Sequence, residues 1–357
     1  MCEINILTIL LAIFAFGFLI FIHEGGHFIF ARIFGVTVNE FAIGMGPRLI
    51  SRKSPRSGIT YSLRVLPFGG FVAMAGEDDE SEDENAFYKK SVWKRIVITA
   101  AGAAVNILMG VIVMTALVFS SETLGSTTVG EFIEYENATV SSKAQGLMLD
   151  DRITHINKTR VFTANDLHYE LTRQGVLPVD ITVVRDGESI TIEDVTFPQT
   201  EEAGTVFGLR DFKVYAAEKT FGNCLVHAGV RSFSTIKMVY DSLYDLITGR
   251  YSVESVSGPI GVTEVLSNSL SEAPTKKEAA ADFIYLVGFL SINLGVMNLL
   301  PFPALDGGRI VFQLFELIFR RPVPVKVEGF VNFLGFAVLM LLIVIVTCKD
   351  VAGLFIG

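Results

Sequence analysis

The chain has 357 residues, half of them hydrophobic, with 29 Phe and a formal net charge of −9. That apolar content exceeds what a soluble enzyme of this length needs for its core, so a membrane protein is the first expectation. The acidic balance argues against nucleic acid as a partner, and Cys2, Cys224 and Cys348 lie too far apart to indicate a disulfide framework or a cysteine zinc site.

Taken in chain order, the first apolar stretch is residues 4 to 34. The opening MCEINIL carries no Lys or Arg and no small-residue cleavage site follows, so the stretch reads as a retained transmembrane helix rather than a signal peptide. Residues 36 to 75, with GMGPR and LPFGGF, interleave Val, Ile, Phe and Tyr with Gly and Pro and predict short strands and turns. Such a hairpin either dips into the bilayer with its backbone paired or forms a small sheet in the cytoplasm. An acidic run, EDDESEDE, occupies residues 77 to 84. A second span is expected over 96 to 119. Residues 127 to 197 read as a soluble domain of short strands around one helix at 164 to 173. Residues 221 to 246 have apolar positions at helical spacing, which fits a helix lying on the outer membrane surface or one packing on the soluble domain. Two more spans fall at 283 to 300 and 330 to 346, each close to the roughly 20 residues that cross a bilayer.

Basic residues orient these spans. The first loop holds Arg48, Arg52, Lys53, Arg56, Arg64, Lys89, Lys90, Lys94 and Arg95, and the third holds Arg309, Arg320, Arg321 and Lys326. Both loops are therefore expected in the cytoplasm and both termini outside.

Within the first span, FIHEGGHFIF at 21 to 30 places ionisable groups where a charge costs roughly 2.5 to 3.5 kcal/mol to insert. His23 and His27 are one helical turn apart and share a face, so both can reach one ion. H-E-x-x-H is the zinc metalloprotease pattern, in which two histidines hold the metal and the glutamate, here Glu24, takes a proton from the attacking water. Gly25 and Gly26 weaken the helix by about 1 kcal/mol each relative to Ala, and offer close approach in return. A catalytic zinc site takes three protein ligands. His155, His168 and His227 fall in the region expected outside, so a carboxylate is sought. Asp306 in NLLPFPALDGGRIVF sits at the matching depth, after prolines that break the third span; the alternative is an Asp that caps the next helix.

HEGGH on a first span with NLLPFPALDGGR after a third resembles the site-2 protease family of intramembrane zinc metalloproteases, in its bacterial subgroup with a single PDZ domain. The likeness covers nearly the whole chain. It implies zinc bound by His23, His27 and Asp306, with Glu24 as catalytic base. AGAAVN at 101 to 106 resembles the family's second-helix motif, and SGPIGV at 257 to 262 the segment before its third helix. Asn298 resembles a residue that engages substrate backbone; Asn106 and, in GMGPR, Gly44 and Gly46 are further candidates for substrate contact, with helix packing the other role for both asparagines. AQGLMLDDRITHIN at 144 to 157 resembles a PDZ motif with Asp150 where Gly is usual, and the domain either binds peptide tails or filters substrates by size.

The expected architecture is a membrane α-helical fold: four transmembrane helices, a membrane-associated β-hairpin element and an extracytoplasmic PDZ-like α+β domain. Residues 1–126 hold the first two spans and the β region, 127–197 the PDZ-like domain, 198–280 a linker with an amphipathic helix, and 281–357 the last two spans. The expected activity is zinc-dependent cleavage of single-span membrane proteins, such as anti-sigma factors or signal-peptide remnants, in a bacterial inner membrane and after trimming by a site-1-type protease. Rival readings are a membrane-bound zinc protease acting on soluble or juxtamembrane peptides, a PDZ scaffold without activity and a metal transporter.

Overall fold

The computed structural model describes residues 6–77, 81–135, 140–202, 205–250 and 258–356. Part of the acidic run and Ser257 of SGPIGV lie outside the described residues. The chain divides into two units, Met1–Gly110 with Ser257–Gly357, and Val111–Val256, the boundary falling within a helix.

In the first unit, α1 (Ile6–Ile33) leads into strands β1 (Val38–Lys53) and β2 (Thr60–Met74), followed by α2 (Val92–Ser120), whose first part belongs here. β1 and β2 are too long to run straight. Gly44 and Gly46 hold φ of 86° and 84°, a left-handed conformation that L side chains resist, and they bend β1 midway. Ala42 consequently pairs with both Phe71 and Ser62, while Arg52 pairs with Tyr61. The first half of β1 thus lies between the two halves of β2, and residues 70–74 are left with an outer edge. Phe41, Val72 and Met74 from the hairpin pack with Ala31 of α1 and Ile98 of α2 in one buried cluster.

The second unit carries β3 (Leu124–Phe132), β4 (Arg152–Ile156), β5 (Thr159–Arg160), α3 (Ala164–Gln174), β6 (Val179–Arg185), β7 (Glu188–Val195), β8 (Gln199–Glu202), β9 (Thr205–Gly208), β10 (Phe212–Ala217) and α4 (Phe221–Ile247). Its main sheet runs β10-β3-β4-β6-β7 with β5 on β4, so it continues past residue 197 through β10. Leu167 and Leu171 of α3 and Phe212 of β10 join the sheet's apolar core. Asp151, fully buried, accepts two hydrogen bonds of 2.7 Å from Arg185, the bidentate geometry that makes a buried charge tolerable. Asp150 sits at φ 65°, which explains why glycine suits that position.

Helix α4 docks on α3 by its polar face. Arg173 donates to Asp245 at 2.7 and 2.9 Å, Tyr169 to Asp241 at 3.0 Å, and Lys237 to Glu170. Phe233, Tyr240, Tyr244 and Ile247 of the same helix remain exposed. The packing reading of 221 to 246 therefore describes one face of the helix.

Returning to the first unit, α5 (Pro259–Glu272), α6 (Lys276–Asn298), α7 (Asp306–Phe319) and α8 (Val325–Ile356) complete the chain. Helices α1, α2, α6 and, within α8, Lys326–Ala352 are long and apolar enough to cross a membrane. Between α2 and α6 the fully buried Ser291 Oγ donates to the carbonyl of Asn106 at 2.7 Å, a polar link between apolar helices.

Candidate metal centre

The geometry begins with two helices in register. Positions 98, 102 and 106 of α2 recur every four residues and face His27 and His23 of α1 in turn. His27 Nδ1 is 2.9 Å from the carbonyl of Ile98. A carbonyl only accepts, so Nδ1 carries the proton and Nε2 keeps a free lone pair. Close approach of the helices is possible because Gly26 and Gly102 lack side chains: a Cβ on Gly26 would lie 2.6 Å from the carbonyl oxygen of Ala101, and one on Gly102 would lie 2.4 Å from His27 Nε2.

Asn106 is fully buried behind His23, with its Nδ2 3.3 Å from the ring's Nδ1. Its Oδ1 is buried with no partner. Turning the amide over puts that oxygen on the ring nitrogen, which then donates, so the buried acceptor is satisfied and His23 Nε2 is left as a lone pair. Asn106 thus backs His23 rather than lining the cavity.

Asp306 comes from the far end of the chain. After α6 the segment through Pro301 and Pro303 turns back, with Ala304 at φ 74°, and Asp306 is the first residue of α7. Leu305 occupies the N-cap position without a side-chain hydrogen bond, so capping is not what Asp306 does. Its Oδ2 lies 3.2 Å from His23 Nε2 and 3.4 Å from His27 Nε2, which are themselves 3.2 Å apart. Two lone pairs and a buried carboxylate oxygen facing one another repel unless a cation sits among them. Among the described residues these three side chains form a group able to hold a metal ion, their ligand atoms all within 4.8 Å of each other. The donor set, two imidazoles and a carboxylate with a position to spare, fits catalytic zinc.

A cavity of about 610 Å³ opens on this group and is lined by Glu24, by residues 69–74 at the free edge of the hairpin, and by Asn298. The backbone of Val72 lies beside the Glu24 carboxylate. Gly44 and Gly46 are not part of the lining; they serve the bend in β1. His155, His168 and His227 belong to the second unit, where burial pushes the imidazoles of His168 and His227 down and keeps them neutral at pH 7.

The model of peptidase family M50 matches residues 11–342. The chain belongs to that family, the site-2 proteases. A Clostridium acetobutylicum protein, whose name assigns it provisionally to the zinc metalloproteases, is 37% identical over 96% of this chain and 97% of its own length. Zinc metalloprotease RasP of Shouchella clausii is 28% identical over 98% of this chain and 99% of its own. Regulator of sigma-W protease RasP of Bacillus subtilis is 27% identical, again over 98% and 99%. The protein is a zinc metalloprotease, and its four long apolar helices make it a membrane protein.

Ile98 is the site element that sequence reasoning did not single out, whereas Gly102 belongs to the AGAAVN motif. Its signal was the four-residue spacing that leads from Ile98 through Gly102 to Asn106. If Asn106 orients His23, Asn106→Leu weakens zinc binding about tenfold, while Asn106→Asp, which keeps an acceptor, holds it near wild type. Competition with a chromogenic chelator measures both, and unchanged affinity in the leucine variant would remove Asn106 from the site.

Proposed function

We propose that the protease cleaves single-span membrane proteins within or at the edge of their spans, with His23, His27 and Asp306 as zinc ligands and Glu24 as the base. One observation carries this reading: three ligand atoms from α1 and α7 converge on a cavity walled by a strand edge that pairs with no other strand among the described residues. Bound there, zinc supplies a Lewis acid that polarises the scissile carbonyl and makes a nucleophile available at neutral pH. Glu24 takes the proton of the attacking water and delivers it to the departing amine.

A helical substrate shields its own carbonyls and must unwind first. Residues 70–74 form an outer strand edge, so an extended substrate segment can pair with them as an added strand beside the ligands. Asn298 at the end of α6 offers an amide to the same segment. This use of the edge favours the membrane-dipping reading of the hairpin.

The basic first and third loops support an orientation with the site near the cytoplasmic face of a bacterial inner membrane and both termini outside. The second unit then lies outside as a PDZ-like domain that runs past residue 197 to include β10. Strand β10 pairs along β3 from Phe132 to Leu124 and fills one of its edges, which favours a size filter over a receptor for peptide tails. The sigma-W name of the Bacillus subtilis relative supports anti-sigma factors as the substrate class, delivered after an outer cut by a site-1-type protease.

The test uses purified protein in vesicles with a single-span reporter and, separately, its soluble portion. Mass spectrometry is expected to place the cut inside the span, with the soluble portion left intact. Equal cleavage of the soluble portion would favour a protease of juxtamembrane peptides.

A further inference from the structure

The cavity at the metal centre has a neighbour of about 720 Å³, bordered by Arg95, Glu316, Lys326 and Asn332. Two residues, Glu77 and Arg309, line both cavities and form an ion pair. Beside them, Gln313 Nε2 in the second cavity donates at 3.0 Å to Thr99 Oγ1 in the first. The partition is therefore built from two polar pairs, where a membrane protein ordinarily seals with apolar packing.

Arg309 follows Asp306 by three residues on α7 and Gln313 follows Arg309 by four, so the three share a face leading away from the ligands. Gln313 Oε1 is buried and has no hydrogen-bond partner, so it is an acceptor in search of an N–H.

Peptide hydrolysis creates a group the substrate lacks. The water oxygen bonds to the acyl carbon, the C–N bond breaks, and the amine leaves with the proton. One product then ends in a carboxylate, generated at the ligands one helical turn from Arg309. A guanidinium binds such a group through two parallel N–H donors.

We propose that Arg309 is the receptor for the new C-terminal carboxylate of the product, and that Glu77 holds its place until the product displaces it and passes into the second cavity. The backbone N–H groups of the departing segment supply the donor that Gln313 Oε1 lacks. This inference rests on the protease reading of the metal centre.

The experiment uses the full-length, zinc-loaded protein carrying Glu24→Gln, so that peptides are bound and not cut. The probes are a fluorescent apolar hexapeptide with a free C-terminal carboxylate and the same peptide as its C-terminal amide, followed by polarisation. The acid is expected to bind roughly tenfold more tightly than the amide, and Arg309→Gln to remove most of that preference. Glu77→Gln is expected to tighten binding of the acid severalfold and leave the amide unchanged, which keeps the test decisive should the arginine variant misfold. An acid preference that survives Arg309→Gln in folded protein, or no response to Glu77→Gln, overturns the proposal. Zinc content and wild-type cleavage are measured alongside: their loss would count against the protease reading, whereas an unaltered acid-to-amide ratio with both intact counts only against the product site.

Discussion

Glu24→Gln is expected to lower cleavage of a spanning substrate by roughly 10²- to 10⁴-fold, the usual contribution of a general base, and to leave zinc content unchanged. The substitution keeps the size and shape of the side chain. None of the three converging ligand atoms belongs to Glu24. What is lost is the capacity to take a proton from water and return it to the amine. Asp306→Asn makes the contrast. It removes the negative charge that faces the two imidazoles, so zinc binding weakens together with activity. Turnover of a reporter and metal analysis of the same preparations separate the two variants. Cleavage near the wild-type rate in Glu24→Gln would sink the assignment of the base.

The parts of this molecule that were legible in the sequence are those set by local chemistry. Span length and hydropathy follow from bilayer thickness, so all four long apolar helices were readable, although α6 starts at Lys276 rather than at residue 283 and α8 runs to Ile356 rather than to residue 346. The spacing of His23, Glu24 and His27 follows from helix periodicity. Asp306 could be set beside the histidines because a zinc site with two histidines needs another ligand at the same depth, and the three side chains do converge. Tertiary packing decided what was not legible. The register that sets Ile98 and Gly102 against His27, and Asn106 against His23, is a property of two helices together, and neither sequence alone fixes it. The bends at Gly44 and Gly46 turn one predicted hairpin into a sheet whose free edge lies in the cavity, and a period-two pattern cannot reveal which half of a strand will be outermost. β10 joins its sheet after the intervening β8–β9 hairpin, so the sheet's extent depended on a long-range pairing. Helix α4 was ambiguous because amphipathicity shows that a helix has two faces and does not say what covers each; the bonds of Arg173, Tyr169 and Lys237 supplied the answer for the polar one.

The helix register also yields a sharp expectation for the glycines around the histidines. In Gly102→Ala the new Cβ would stand 2.4 Å from His27 Nε2 and 2.8 Å from both neighbouring ring carbons, distances no real Cβ tolerates. The ring has little freedom to yield, because its Nδ1 is held by the carbonyl of Ile98 at 2.9 Å. Either His27 swings away from Asp306 or the helices part, and in both cases a ligand atom leaves its place. Zinc affinity is therefore expected to fall by upward of about 100-fold, beyond the loss from removing a ligand's hydrogen-bond partner, with cleavage falling in step. Gly25→Ala is the matched control within the motif itself. A Cβ there meets nothing within 4 Å, and Ala is preferred over Gly in a helix by about 1 kcal/mol, so this variant should bind zinc and cleave as the wild type does and melt no lower. Chelator competition, reporter cleavage and thermal unfolding of the two variants side by side provide the measurement. Wild-type zinc affinity in Gly102→Ala would mean that α1 and α2 separate without moving His27, and the register described for them would then have to be redrawn.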